Sequence, residues 1–474
     1  MGAAVSNWLL AKAVSMRGQL GVVSGTALAT VVGRKLQAGD PGGHVRRALA
    51  TFPVPEIAER VLKDWYRPAR GPANTPFKLH PMYTLNPPQD LLELTVASSY
   101  SEVYLAKEDH DGVVGINLLE KIRLPNPSTL FGAMLAGVDY VLMGAGIPME
   151  IPGLLDGLSR HEPVRLNVQV DGASPGDEHV TVFDPRRIMP DPIKALKRPL
   201  FLAIIASAVL AAALVKKATG RVDGFVVEGP TAGGHNAPPR GQSALSPGGE
   251  PVYGPKDVVD LNAIKAHGRP FWLAGSYGTP ERVKEALDLG AEGVQVGTAF
   301  AFCEESGFTP EIKQAALEVV AAGDMNVFTD PLASPTGFPF KVASVPDTLA
   351  EQGLYAERPR ICDLGFLRQA YKKENGSVGF RCPAEPVDQY LKKGGKEEDT
   401  HGRKCLCNAL SAAVGCPQTQ KTGNTELPII TAGDDLKDLG RFLRPGCLSY
   451  SAEDVLNYLL QGVTGELALT PQMA

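Results

Sequence analysis

The sequence predicts an α/β fold, a (β/α)8 TIM barrel with additions, because short apolar runs alternate with helical segments along most of its length. Of the 474 residues, 44% are hydrophobic, so the chain can bury a large core. A barrel of this type takes up about 250 residues by itself. The apolar runs are nearly continuous, as in parallel strands that are covered on both faces. An open doubly wound sheet is the alternative, and the lack of a Gly-x-Gly-x-x-Gly turn near an early strand counts against it.

Charge and cysteine usage narrow the class of protein. The net charge of -5 and the lack of long basic runs argue against nucleic acid and anionic membranes as partners. The 7 cysteines are spread over a long chain without a signal peptide, which favours reduced thiols and a cytoplasmic protein. The apolar run at 200–215 is too short to span a bilayer comfortably, and we expect it to be a buried strand that leads into a helix.

The barrel is predicted to cover residues 1–310, with an irregular insertion at about 52–90. Apolar spacing predicts a helix at 5–15 and a strand at 20–24. Asp40 and Pro41 are typical of the start of a helix, which would run around 44–49. Prolines recur every few residues in the insertion, so a regular element there would be interrupted repeatedly.

The rest of the barrel follows a repeated order of strand, turn and helix. Helices are predicted at 101–107 and 128–136. The predicted strands are 92–97, 113–117, 140–143, 164–170, 200–205, 224–227, 270–274 and 293–296. In a parallel barrel the loops after the strands gather at one rim, and ligands bind there.

A glycine-rich turn with a single histidine follows the strand at 224–227. Gly229, Pro230, Gly233 and Gly234 prevent the strand from continuing, so His235 lies just beyond a strand end. Glycines on both sides of a reactive side chain allow a flat ligand to approach the backbone closely. We therefore interpret His235 as a functional residue, and a loop histidine without a chemical role is the alternative.

Two further glycine-containing loops follow consecutive strands at the end of the predicted barrel. The segment 275–278 reads Gly-Ser-Tyr-Gly, and Thr279 and Pro280 then begin a helix. The next strand ends in Gln-Val-Gly-Thr at 295–298. Backbone N–H groups and a helix N-terminus at this position of a barrel attract a phosphate group. The pair of loops predicts a phosphate site, whereas either loop alone would be an ordinary turn.

Residues 311–474 are predicted to form a mainly helical C-terminal extension that carries most of the cysteines. Six cysteines lie there: Cys362, Cys382, Cys405, Cys407, Cys416 and Cys447. The first four could bind zinc or an iron–sulfur cluster, yet none has the Cys-x-x-Cys spacing that makes such a site specific. We therefore predict reduced or structural cysteines and no metal site.

Four of these segments together resemble the nitronate monooxygenase family, formerly called 2-nitropropane dioxygenases. They are Gly115-Ile116-Asn117, the stretch 228–235, the turn Gly275-Ser276 and the strand end 295–298. The resemblance runs in order and spacing over about residues 1–302. It implies an FMN-dependent TIM barrel, and the same barrel is similar to flavin-dependent enoyl-acyl carrier protein reductases and to the enoyl reductase component of polyunsaturated fatty acid synthases.

The resemblance also implies roles for individual residues. His235 would be the catalytic base, with Asn117, Glu228 and Gly233 beside the flavin ring and ribityl chain. The FMN phosphate would lie at Gly275, Ser276, Gln295, Val296, Gly297 and Thr298.

The sequence departs from the family at several of these positions. The family usually has glutamine where Glu228 stands, glutamate where Thr231 stands and a second glycine where Ser276 stands. A carboxylate at Glu228 would disfavour negative charge on a reduced flavin. Met1-Gly2 resembles the end of the family's first barrel strand, and no strand precedes it here, so we expect a truncated first strand with unpaired neighbouring edges.

The implied reaction is the oxidation of alkyl nitronates or nitroalkanes by O2 to a carbonyl compound and nitrite, with His235 removing the C–H proton of a neutral nitroalkane. An NAD(P)H-dependent reduction of an enoyl thioester by the same FMN is the first alternative. The second alternative is a flavin-binding or scaffold protein without turnover. The expected partners are a small-molecule substrate with O2 or NAD(P)H, and a homo-oligomer is possible.

Overall fold

The protein is described from a computed structural model, which covers residues 3–69, 75–191, 194–241 and 244–463. Fourteen strands lie in these ranges. In chain order they are β1 (Gly21–Ser24), β2 (Val114–Leu119), β3 (Tyr140–Gly144), β4 (Val164–Asn167), β5 (Val170–Asp171), β6 (Val180–Phe183), β7 (Leu200–Ile205), β8 (Gly224–Glu228), β9 (Phe271–Ala274), β10 (Gly293–Gln295), β11 (Val327–Asp330), β12 (Phe340–Ala343), β13 (Gln369–Lys372) and β14 (Val378–Arg381).

Sixteen α-helices lie in the same ranges. They are α1 (Trp8–Met16), α2 (Leu28–Gln37), α3 (His44–Leu49), α4 (Pro55–Trp65), α5 (Gln89–Lys107), α6 (Asn126–Leu135), α7 (Ile151–Ser159), α8 (Ala208–Lys217), α9 (Leu261–Lys265), α10 (Pro280–Asp288), α11 (Thr298–Ala301), α12 (Pro310–Ala322), α13 (Gln352–Glu357), α14 (Val387–Lys392), α15 (Leu406–Ala413) and α16 (Ala452–Leu459). Short 3-10 helices add turns at Pro41–Gly43, Pro185–Arg187, Pro255–Asp257, Glu397–Thr400 and Asp434–Phe442.

Seven strands form one parallel sheet in the order β1, β2, β3, β7, β8, β9, β10. Neighbouring strands in the sheet are consecutive in the barrel sequence, which is the strand order of a TIM barrel. Side chains from both ends of the sheet line one interior space, and they include Val22, Leu142, Leu202, Val226 and Trp272. The sheet therefore curls, and the predicted fold class is confirmed.

Helices cover the outer face of this sheet and bury its outward side chains. Val23, Ile116, Val141, Phe201 and Phe225 alternate with the inward residues and are almost completely buried. This alternation explains why the strands read as continuous apolar runs in the sequence. The main core thus lies between the curled sheet and its helical layer.

The region between β10 and β1 is filled by helices. Among the described residues these two edge strands do not pair with each other. Helix α1 packs closely on β1, since a Cβ at Gly21 would lie 1.9 Å from the carbonyl oxygen of Ala11. Helix α16 packs on α1, α10 and α11. Residues Met1 and Gly2, on which the prediction of a truncated first strand rests, lie outside the described residues.

Two predictions in the first hundred residues are wrong. Residues 92–97 are not a strand, because they lie inside the 19-residue helix α5. Nearly every residue of α5 is buried, so its apolar run has no polar face and cannot be told from a buried strand by periodicity. The insertion at about 52–90 also contains a regular helix, α4, in which Pro55 occupies the first turn, where proline is tolerated.

The predicted strand at 164–170 is not part of the barrel. Its first half is β4, which pairs antiparallel with β6 in a separate two-stranded sheet. Buried and exposed residues alternate along β4, as expected when one face contacts the core and the other contacts solvent. The excursion between β3 and β7 therefore lies beside the barrel, and β3 pairs directly with β7.

The C-terminal residues pack against the barrel through a shared core. A second hydrophobic cluster combines Val5, Leu10 and Val283 with Leu436 and Val455 of the extension. The extension contains the strand pairs β11–β12 and β13–β14 as well as helices. Within the described residues, no helix has the length and hydropathy needed to cross a membrane.

Candidate active site at the carboxyl ends of the strands

A cavity of about 930 Å³, part of it open to solvent, lies at the carboxyl ends of β8, β9 and β10. Residues from three separate loops meet in its lining. Eight of the ten residues predicted from the sequence are among them: Glu228, Gly233, Gly275, Ser276, Gln295, Val296, Gly297 and Thr298.

The two predicted phosphate loops differ in what the structure shows of their backbone. Gly275 has a φ of +96° and Ser276 a φ of +56°, so two successive residues adopt a left-handed conformation. This conformation favours glycine, and it explains why a glycine at position 276 would also suit the loop. A Cβ added at Gly297 would meet no protein atom within 4 Å. The backbone at 297 therefore faces open space in the cavity.

One wall of the cavity comes from the C-terminal extension. The N–H of Gly433 donates to Thr298 Oγ1 at 2.9 Å, and the N–H of Gly234 donates to Thr431 Oγ1 at 2.9 Å. A Cβ at Gly233 would lie 2.7 Å from the carbonyl carbon of Ala432, so the two glycine segments cross in contact. Sequence reasoning missed this wall, because these residues form no recognisable motif and lie about 130 residues beyond the predicted site.

Glu228 lies at the end of β8, opposite Ala274 of β9. Burial raises the pKa of its carboxyl group to about 7. A substantial fraction of the side chain is therefore protonated at neutral pH and can donate a hydrogen bond as well as accept one.

His235 is held between the turn after β8 and the segment that leads into β12. Its Nε2 lies 2.7 Å from Ser334 Oγ, and its ring packs edge-to-face on Phe340 at 4.9 Å. Burial and the positive charge of Lys121 lower the pKa of the His235 imidazole well below its usual value. The ring is therefore neutral at pH 7 and has a nitrogen lone pair that can accept a proton.

His235 and Asn117, the other two predicted residues, do not line the cavity. Asn117 is buried in β2, and its carbonyl oxygen accepts a hydrogen bond from the N–H of Gly25 at 2.8 Å. Asn117 is paired with Ser24, the last residue of β1, and His235 follows the end of β8. Their predicted roles beside the flavin ring stay predictions.

A second and larger cavity, of about 1590 Å³ and also partly open, lies over the ends of β2 and β3. Lys121, Arg123 and Arg368 contribute positive charge to its lining, and Phe338 and Phe366 contribute aromatic surface. Arg123 forms ion pairs with Glu120 and Glu150. The Nζ of Lys121 lies over the ring of Phe338 at 3.6 Å and donates to Thr336 Oγ1 at 3.3 Å. This cavity was not predicted from the sequence.

Four cysteines of the extension lie near one another. Cys382 and Cys405 are buried together with Ala384, and Cys362 and Cys407 pack against them. All seven cysteines lie among the described residues, and none of them forms a disulfide bond. In the part of the chain that the structure describes, no three His, Cys, Asp or Glu side chains are arranged to hold a metal ion.

Comparison with known proteins finds similarity to one family over the middle of the chain. Residues 157–331 match the nitronate monooxygenase family. The chain is 36% identical over 128 residues to a "Probable nitronate monooxygenase" of Bacillus subtilis, which is 27% of this chain and 35% of that protein. It is 28% identical over 170 residues to a nitronate monooxygenase of Pseudomonas aeruginosa, which is 35% of this chain and 41% of that protein. The matches thus span about two fifths or less of these relatives, and they confirm the resemblance.

Solved structures of low sequence identity are also similar. FabK from Thermotoga maritima is 15% identical with a TM-score of 0.47, and 97% of this chain and 89% of that chain are covered. Nitroalkane oxidase from Streptomyces ansochromogenes is 14% identical with a TM-score of 0.45, and the coverage is 97% and 93%. The fold assignment rests on the strand order of this chain itself.

Proposed function

We propose that this protein is an FMN-dependent oxidoreductase, because residues 157–331 match the nitronate monooxygenase family. It oxidises alkyl nitronates or nitroalkanes with O2 to a carbonyl compound and nitrite. The observation that carries the proposal is the meeting of eight separately predicted residues around one cavity at the strand ends. Glycines that serve only to form turns would not be expected to line one cavity together.

The residues of this cavity fit a flavin mononucleotide. Gly275, Ser276 and Gly297 would surround the phosphate, because all three line the cavity and a Cβ added at Gly297 would meet no protein atom within 4 Å. Glu228 would contact the ring edge, and its protonated form supplies the donor that the glutamine usual in this family would supply. Bound FMN supplies the electron-transfer chemistry, for which no protein side chain is suited.

His235 would act on the substrate as a base. Its imidazole is neutral at pH 7, so it is ready to accept the C–H proton of a neutral nitroalkane. The bond to Ser334 Oγ fixes the orientation of the ring. A substrate supplied as a preformed nitronate has already lost this proton and does not need the base.

Reduction of an enoyl thioester by NAD(P)H is the second candidate. The observation that favours it is the second cavity, which is larger than the first and whose aromatic lining suits an acyl chain. Both candidates use the same proposed flavin site and differ in the electron donor.

Anaerobic mixing of the flavin-loaded protein with NADPH and, separately, with ethyl nitronate separates the two candidates. Loss of the oxidised flavin absorbance with the nitronate, and none with NADPH, is the result expected for the monooxygenase. Rapid bleaching by NADPH alone would favour the reductase. If the protein binds no flavin, the scaffold interpretation is the one that remains.

The cofactor itself is tested by mass spectrometry of the molecule that the denatured protein releases. We expect FMN, because the glycine loops at 275–278 and 295–298 offer one phosphate site. Release of FAD would contradict this assignment, since the adenylate half needs a second nucleotide site.

A further inference from the structure

A continuous chain of hydrogen bonds connects His235 to Lys121. His235 Nε2 lies 2.7 Å from Ser334 Oγ, which lies 2.8 Å from Thr336 Oγ1. Lys121 Nζ lies 3.3 Å from the same threonine oxygen. The four groups come from the turn after β8, the segment between β11 and β12, and the loop after β2. These three segments lie far apart in the sequence, so the chain of hydrogen bonds exists only in the folded protein.

Each member of this chain can pass a proton to the next. Both hydroxyl groups donate and accept hydrogen bonds at once, and a neutral imidazole accepts on one nitrogen while it donates from the other. The remaining ring nitrogen of His235, Nδ1, has no hydrogen-bond partner among the described residues. That nitrogen is thus free to receive a proton while Nε2 contacts Ser334.

Lys121 is suited to receive a proton at the end of the chain. Within the described residues no carboxylate lies at ion-pair distance from the Lys121 Nζ, and the neighbouring Glu120 pairs with Arg123. Burial lowers the pKa of the Lys121 ammonium to about 7, and the charge of Glu120 opposes this shift. A large fraction of Lys121 is therefore a neutral amine at pH 7. Its side chain also lines the second cavity, which is open to solvent.

We propose that Ser334, Thr336 and Lys121 form a relay that carries the proton taken up by His235 to water in the second cavity. The proposal rests on the proposed function, in which His235 is the base. A proton enters at Nδ1, the Nε2 proton passes to Ser334, the Ser334 proton to Thr336, and the Thr336 proton to the amine of Lys121. The resulting ammonium releases its proton to water, and the hydroxyl groups then reorient.

The relay would allow His235, which is partly buried, to lose its proton between turnovers. His235 must lose each proton before the next cycle, and its low pKa favours rapid release only if an acceptor is within reach. Ser334 and Thr336 would be positioning and relay residues, because neither needs to touch the substrate. A purely electrostatic role of Lys121 is the competing explanation, since its positive charge also lowers the pKa of His235.

Three substitutions separate a relay from a charge effect. Thr336→Val removes the central hydroxyl and keeps the shape of the side chain. Lys121→Met removes the amine and keeps its stem on Phe338, whereas Lys121→Arg keeps a positive charge that cannot be released at neutral pH. Lys63→Met, at an exposed position of α4, is the matched control.

We expect all three relay variants to turn over neutral nitroethane about 10-fold or more slowly than the unmutated protein, and ethyl nitronate at an unchanged rate. Added imidazole buffer should restore nitroethane turnover in the relay variants, because a small base then removes the proton directly. The Lys63→Met control should match the unmutated protein. Full activity of Lys121→Arg would assign a charge effect, and full activity of Thr336→Val would overturn the relay.

The relay is distinguishable from the proposed function if the unmutated protein oxidises neither substrate. In that case the proposed function is refuted, and the relay is tested by a different measurement. This measurement is the rate at which the ring N–H of His235 exchanges with solvent, determined by NMR on histidine-labelled, flavin-loaded protein. We expect slower exchange in Thr336→Val than in Lys63→Met. Equal exchange rates would overturn the relay independently of any turnover.

Discussion

Replacing Gly297 by valine tests whether the cofactor phosphate lies in the first cavity. A side chain at this position enters open space, because a Cβ there would meet no protein atom within 4 Å. The φ of -114° is compatible with any residue, so the change introduces no backbone strain. We therefore expect the free energy of unfolding of the flavin-free Gly297→Val variant to lie within about 1 kcal/mol of that of the unmutated protein.

The same side chain would occupy the space proposed for the phosphate. A hydrogen bond from a backbone N–H to a charged group contributes about 1.5–3 kcal/mol. Loss of one such bond weakens binding by about 10-fold to 100-fold, since 1.4 kcal/mol corresponds to a factor of ten. We expect at least this loss in a titration of the flavin-free protein with FMN, followed by quenching of flavin fluorescence.

Two other glycines serve as controls. Gly254→Val adds a side chain at an exposed site where a Cβ also meets nothing, and it should leave both melting and FMN affinity unchanged. Gly433→Val would place its Cβ 2.7 Å from the carbonyl oxygen of Thr231, so it should lower the melting temperature as well. An unchanged FMN affinity in Gly297→Val would refute the placement of the phosphate.

Three further predictions concern single side chains of the site. His235→Asn should reduce turnover of neutral nitroethane about 100-fold or more and affect ethyl nitronate much less, whereas equal losses would assign His235 to binding. The folded carboxyl group of Glu228 holds its proton up to a pKa of about 7, above its usual 4.5, so the stability of the flavin-free protein should fall as pH rises through this interval. In Glu228→Gln, the decrease in the free energy of unfolding between pH 5 and 8, measured by urea titration, should be smaller by up to about 3 kcal/mol. The same decrease in the variant and in the unmutated protein would contradict the raised pKa. Ser276→Gly should raise the stability of the flavin-free protein by about 1 kcal/mol, because position 276 has a φ of +56°, and a lower melting temperature would contradict strain there.

The barrel was predictable where local pattern and burial agree. The strands that became β1, β2, β3, β7, β8, β9 and β10 were all found, because strands covered on both faces produce short apolar runs between turn residues. Residues 92–97 gave the same signal and are helical. A helix that is buried on all sides loses its polar face, and its periodicity is lost with it. The first half of 164–170 is a strand whose partner, β6, only tertiary structure reveals.

The candidate site was predictable where it consists of consecutive residues. Turn glycines after strands indicated Gly275, Gly297 and the loop before His235, and residues of all three loops line the cavity. The contributions of Thr431 and Gly433 were not predictable, since no local pattern marks a loop that crosses another glycine segment. Ser334 and Lys121 were missed for a similar reason, because their relation to His235 depends on contacts between residues that are 99 and 215 positions apart in the sequence.

The late position of Thr431, Gly433 and α16 in the chain has a consequence for biosynthesis. A ribosome makes the glycine loops at 275–278 and 295–298 well before it makes the wall that contacts them. Helix α16, which covers the region between β10 and β1, is synthesised later still. The wall of the proposed flavin site is therefore complete only after Gly433 has been synthesised, and the barrel surface that α16 covers stays uncovered on the ribosome until α16 is released, where a chaperone can protect it.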